Sequence, residues 1–116
     1  MTDLATFSTR DVKGVRVLEA RGEFDIGNVG DLRTAIGENL DGTDVLVFSL
    51  AGISYLDSSA LAVLIQASRQ ATTQRRRLLL VAARLAPAGK LLRIAAVDQI
   101  APVFETVDDA IATIVI

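Results

Sequence analysis

The sequence predicts an α/β domain: a mixed, mostly parallel β-sheet of four to five strands with about four α-helices packed against it. Three observations lead there. Val45-Leu46-Val47-Phe48-Ser49-Leu50 and Leu78-Leu79-Leu80-Val81-Ala82 are apolar almost throughout, as strands covered on both faces are. A long segment with helical periodicity lies between them, so the two strands form a parallel pair joined by a right-handed crossover. Ahead of them, shorter segments alternate apolar and polar residues like half-buried strands.

In chain order, residues 4–8 and Val15 to Arg21 carry that alternation, and Asp11-Val12-Lys13-Gly14 between them reads as a hairpin turn. Gly22-Glu23-Phe24-Asp25-Ile26-Gly27-Asn28 combines two glycines with two acids and reads as a loop, with Asn28 placed to cap a helix that has Asp31 in its first turn. From Val29 to Leu40 the apolar residues Leu32, Ala35, Ile36 and Leu40 fall on one helical face, and Asp41-Gly42-Thr43 ends it. The strand Val45 to Leu50 leads through an Ala51-Gly52 link and the approach Ile53 to Leu56 into a second helix, from Ser58 to about Gln74. Its apolar face is Leu61, Leu64, Ile65, Ser68 and Ala71, and its other side, with Ala62, Gln66, Arg69, Gln70 and Thr73, is small or polar. Arg75-Arg76-Arg77 reads as a solvated helix end complementing the C-terminal partial charge. After the strand Leu78 to Ala82, Pro87 suits the first position of a third helix running to about Ala96, with Leu91, Leu92 and Ala95 as its apolar face. Val97-Asp98 ends it, Gln99 to Phe104 supplies a last short strand, and Thr106 caps a final helix with Asp108 and Asp109 in its first turn.

Composition narrows the function classes. The 116 residues, 51% hydrophobic and 22% charged, fit one domain over 1–116 with a real core. A net charge of −2 and only 4% aromatic residues disfavour a nucleic-acid surface. The start Met1-Thr2-Asp3-Leu4 lacks the basic and apolar regions of a signal peptide, and Ile111 to Ile116 is too short to insert in a membrane. With no cysteine there is no disulfide frame, which suits a cytoplasmic location. The absence of both His and Cys removes the usual general base, the usual zinc ligands and the Ser-His and Cys-His pairs, so no catalytic residue, metal site or cofactor is expected. A Ser-Lys pair would have to use Lys13 or Lys90, neither in a stretch that reads as buried.

Chemistry concentrates at Tyr55-Leu56-Asp57-Ser58-Ser59-Ala60-Leu61, where the most apolar strand meets the longest helix. Asp57 has the short acceptor side chain of a helix cap, which puts Ser58 and Ser59 in the first turn with hydroxyls near solvent. A phosphate there would be tolerated, since a helix N-terminus offers unpaired N–H donors and partial positive charge. The competing explanation is a helix cap and nothing more. Two features favour a site: strand ends of α/β sheets are where sites are built, and Ala62 and Gln66 leave room for a partner along the helix. Gly22-Glu23-Phe24-Asp25 alone reads as a turn, but placed after a strand beside Val45 to Leu50 it brings its acids next to Ser58.

The run Val47-Phe48-Ser49-Leu50-Ala51-Gly52-Ile53-Ser54-Tyr55-Leu56-Asp57-Ser58-Ser59-Ala60-Leu61-Ala62-Val63-Leu64 resembles the signature of STAS domains, specifically bacterial anti-sigma factor antagonists. Arg21-Gly22-Glu23-Phe24-Asp25 is similar to the family's motif after the second strand, and Lys90-Leu91-Leu92-Arg93-Ile94-Ala95-Ala96-Val97 to its third helix. The resemblance implies a STAS fold and a protein substrate, not an enzyme. In this family the serine after the motif aspartate, here Ser58 and less readily Ser59, is phosphorylated by a partner that is both an anti-sigma factor and an ATP-dependent serine kinase. The unmodified antagonist binds that kinase and frees the sigma factor, and a serine phosphatase resets the phosphorylated form. The resemblance further implies a partner surface drawn from Gly22, Glu23, Asp25, Asp57, Ser59, Ala62 and Gln66. Ala60 departs from the family's usual glycine and adds a methyl beside the serines. The alternatives are a non-phosphorylated STAS scaffold or accessory subunit, in a stress-signalling complex or beside a lipid transporter, and, with no phosphate-cradling glycine loop to support it, a nucleotide-binding domain.

Overall fold

The computed structural model describes residues 5–114, so the expected strand start at residue 4 and the last two residues of the Ile111–Ile116 run lie outside the described residues. The elements are β1 (Thr6–Val12), β2 (Val15–Phe24), α1 (Val29–Leu40), β3 (Val45–Leu56), α2 (Ser58–Thr73), β4 (Arg77–Val81), α3 (Pro87–Ile94), a single 3-10 turn (Val97–Gln99), β5 (Val103–Phe104) and α4 (Val107–Ala112). The predicted succession of strands and helices is borne out. A five-stranded mixed sheet is ordered β1-β2-β3-β4-β5, with β1 antiparallel to β2 and the remaining pairs parallel.

Alternation along the central strands divides the core between the two faces of the sheet. Leu18, Leu46, Phe48, Leu50, Leu78 and Leu80 point to the face covered by α1, α2 and α3 and pack with Leu32, Ile36, Leu64 and Leu92. Val17, Val47, Leu79 and Val81 point to the other, closed by Ala110 and Ile111 of α4. This is why the central runs are apolar without a period of two: each residue is buried on one face or the other.

Several expected boundaries move, each for a backbone reason. β1 runs to Val12, because Lys13 (φ 53°) and Gly14 (φ 82°) alone make the turn and Val12 pairs with Val15; Asp11 and Val12 are strand, not turn. β2 and β3 do not stop at Arg21 and Leu50. They stay paired to Phe24↔Leu56 across register shifts at Glu19/Arg21 and Gly22/Glu23, so Gly22 to Phe24 is strand rather than loop, and Ala51 to Leu56 is strand rather than link. The glycines that suggested breaks stay paired beside these shifts, Gly22 (φ 103°) with Ile53 and Gly52 with Arg21, while the extra residues lie in β3 at Leu50-Ala51 and Ser54. In α2 the deepest residues are Ala60, Val63, Leu64, Ser68 and Ala71, with the expected Leu61 and Ile65 only half-buried. α3 ends at Ile94, and Ala95, expected on its apolar face, is exposed because Ala96 turns the chain at φ 58° into the 3-10 turn. Only Val103 and Phe104 of the expected Gln99–Phe104 strand pair with β4.

The three arginines are not a plain solvated end. Arg75 takes φ 60° as the residue after the helix end, its N–H bonds the Thr72 carbonyl (3.0 Å), and Arg76 N–H bonds Ala71 (2.7 Å), a Schellman closure. Half-buried Arg76 also donates to the Leu40 carbonyl at the end of α1 (2.8 Å), and Arg77 begins β4. Left-handed backbone costs a non-glycine residue roughly 1 kcal/mol. Arg75→Gly is therefore expected to stabilise the protein by up to about 1 kcal/mol in urea unfolding, less what the freer unfolded chain takes back; a loss would mean that the Arg75 side chain outweighs the strain.

Candidate functional site

The long β2–β3 ladder builds the site. Because Glu23 pairs with Tyr55 and Phe24 with Leu56, the two strands end side by side, and the turn after β2 lies against the start of α2. Asp57 joins them. Its N–H bonds the Phe24 carbonyl (3.1 Å); its Oδ2 accepts from Ile26 N–H (3.0 Å); its Oδ1 accepts from Ala60 N–H (3.1 Å) and from the Ser59 hydroxyl. One carboxylate thus caps α2, as expected, and also fixes the neighbouring turn.

That turn is held from within. Asp25 Oδ1 accepts from Gly27 N–H (2.9 Å), while Asn28 Oδ1 accepts from Asp25 N–H (2.9 Å) and its Nδ2 donates to the Glu23 carbonyl (2.8 Å). Asn28 stands at the N-cap of α1 but makes no side-chain cap bond, contrary to expectation, since both ends of its amide are engaged by the turn.

Ser58 is exposed at the first position of α2, and its hydroxyl makes no hydrogen bond among the described residues; Ser59 is partly buried with its hydroxyl given to Asp57. Ala62 and Gln66 are exposed on the same helical side as Ser58. Asp25 is exposed and Glu23 half-buried. Gly22, however, is buried, and it enters only by its place beside the register shift and by accepting from the Ser54 hydroxyl (3.4 Å). Ala60 is also fully buried, so its methyl adds to the core beneath α2 and not to the surface beside the serines. Two residues not singled out from the sequence complete the surface: Ile26 is 79% exposed and Tyr55 51%. Tyr55 is the chain's one tyrosine, and Ile26 lies in a turn with nothing to pack on; those were the available signals.

The Ser59 hydroxyl bond holds the Asp57 carboxyl below its ordinary value near 3.8; partial desolvation opposes this, and N–H groups of Ala60, Ile26 and Ser59 reinforce it. A carboxyl that ionises at lower pH when folded gives a stability contribution fully present above its unfolded value and lost as pH falls through its folded one. Asp57→Asn keeps a capping acceptor without the charge. Between about pH 5 and about pH 2, wild-type stability in thermal unfolding is expected to fall more than that of Asp57→Asn; parallel profiles would show that Asp57 does not titrate with folding.

Among the described residues no three His, Cys, Asp or Glu side chains are grouped to hold a metal ion, and no helix is long and apolar enough to cross a membrane. Lys13 and Lys90 are exposed, in the β1–β2 turn and on α3. The site offers a free hydroxyl at a helix start, fixed carboxylates beside it and exposed apolar side chains, which suits docking and modification more than bond-making.

The STAS domain family model matches residues 6–110. No curated protein matches the sequence. Among solved structures, an anti-sigma factor antagonist from Mycobacterium paratuberculosis is 26% identical with a TM-score of 0.83, over 95% of this chain and 93% of that one. The anti-sigma factor antagonist SpoIIAA in its unphosphorylated form is 20% identical, TM-score 0.68, over 94% of this chain and 96% of that one. The Bacillus cell fate determinant SpoIIAA in its phosphorylated form is 18% identical, TM-score 0.66, over 95% of this chain and all (100%) of that one. At these last two identities the likeness is one of fold.

Proposed function

The chain belongs to the STAS domain family, and from that premise we propose that it acts, as a single domain, as an anti-sigma factor antagonist switched by phosphorylation of Ser58. Unphosphorylated, it binds an anti-sigma factor that is also a serine kinase and so releases the sigma factor. Phosphorylated, it lets go until a serine phosphatase resets it. It works in transcription regulation by partner switching, as a phosphoprotein in the cytoplasm, and has no enzymatic activity of its own.

The observation that supports this reading best is the contrast between the paired serines: Ser58 has an exposed hydroxyl without a hydrogen bond among the described residues, and that of Ser59 is spent on Asp57. Glu23, Asp25, Asp57, Ala62 and Gln66 supply the rest of the docking surface, together with Ile26 and Tyr55. Phosphate at Ser58 adds about −1.5 to −2 charge next to Asp57. The helix start accommodates that charge, whereas a docked partner would have to desolvate it beside the site's own acids.

Incubation with ATP and an anti-sigma factor serine kinase, followed by intact mass, tests the proposal. Wild type and Ser59→Ala are expected to gain one phosphate and Ser58→Ala none. Phosphate on Ser58→Ala would move the switch elsewhere; none on wild type would favour the non-phosphorylated scaffold.

A further inference from the structure

Ile26 is 79% exposed and packs against neither core. One exposed isoleucine means little by itself, since apolar side chains are scattered singly over most protein surfaces. The frame around this one sets it apart. Its N–H donates to Asp57 Oδ2 (3.0 Å), Gly27 N–H to Asp25 Oδ1 (2.9 Å) and Asp25 N–H to Asn28 Oδ1 (2.9 Å), while the Asp25 carbonyl accepts from the N–H groups of Asn28 (3.1 Å) and Val29 (2.9 Å). Gly27 fits the turn closely, since a Cβ there would lie 3.1 Å from Asp25 Oδ1. Turns favour glycine and short polar side chains, and folding gains almost nothing from an apolar side chain left in water. Asp25, Asn28 and Asp57 are thus engaged in holding a backbone whose most exposed apolar side chain serves no packing role.

Asp57 ties this turn to Ser58. One of its oxygens accepts from Ala60 N–H and the Ser59 hydroxyl and the other from Ile26 N–H, so its own chain occupies the carboxylate on both sides. Ile26 is in this way fixed to the residue directly before the exposed Ser58 hydroxyl. An apolar side chain on a turn already ordered loses little freedom when a partner covers it, which is the property of a strong docking anchor.

We infer, building on the antagonist function proposed above, that Ile26 is the apolar anchor of the docking surface, seated in a hydrophobic pocket of the anti-sigma factor kinase, and that Asp57 is a positioning residue that holds it at a set distance from Ser58. The partner therefore recognises this end of the sheet through an apolar contact and not through the acids alone.

Calorimetric titration of an anti-sigma factor serine kinase with the unphosphorylated full chain tests both halves. Ile26→Ala is expected to weaken binding by about tenfold or more while melting like wild type, and Ile26→Val to recover most of that loss. Asp57→Ser keeps an N-cap residue but has no second oxygen for Ile26 N–H. It too should weaken binding, yet cost less than about twofold further in the Ile26→Ala background, because it acts through that side chain. Wild-type affinity in Ile26→Ala would overturn the anchor and leave the antagonist reading in place. Additive losses in the double variant would make Asp57 a direct contact and overturn its positioning role. A wild-type chain that does not bind the kinase would remove the antagonist reading and the anchor with it.

Discussion

On the proposed switch, Ser58→Glu is expected to lower affinity for an anti-sigma factor kinase by about 100-fold or more, while Ser58→Ala is expected to stay within about threefold of wild type. The asymmetry follows from the surroundings of the side chain. An alanine removes a hydroxyl that holds nothing in place, so the cap, the turn and the exposed face of α2 persist. A glutamate keeps the helix start, where negative charge is favoured, and brings a second carboxylate beside Asp57. Burying that pair against a partner costs several kcal/mol, about 2.7 of which correspond to 100-fold. Both variants should melt close to wild type; calorimetric titration against the kinase then reads binding alone. Equal affinities for the two would remove charge as the basis of the switch.

Gly89→Ala is expected to destabilise the fold by about 3 kcal/mol or more. A Cβ on Gly89 would sit 1.9 Å from the Ala83 carbonyl oxygen and 2.8 Å from its carbon, both backbone atoms of the turn after β4. No rotamer relieves such a clash, so α3 must move away from the sheet, opening the core around Leu92 and Ala88. Gly37→Ala is the matched control. It lies in α1, a Cβ there meets nothing within 4 Å, and the change should add up to about 1 kcal/mol. Urea unfolding of the pair checks both signs.

The legible parts of the molecule were those set by neighbours in sequence. Asp57 and Thr106 cap their helices through bonds to residues three further on, and the apolar runs of β3 and β4 declare burial on both faces. What escaped depended on distant pairing. Gly22 and Gly52 look like breaks until the β2–β3 ladder pairs them beside its register shifts, and only that ladder brings Ile26 to Asp57 across 31 residues. The same limit hid the two engagements of the Asn28 amide and the reach of Arg76 to Leu40, each a choice among partners that the chain order does not disclose.

The order of strands across the sheet is also their order along the chain. No strand has to be slotted between two others already paired, so each one can dock on its predecessor. The sheet can therefore grow vectorially, with the elements around Ser58 leaving the ribosome ahead of β4. The elements that set the Asp57 hub, β2, β3 and the start of α2, all precede β4 in the chain, so the docking surface can form ahead of the far half of the sheet.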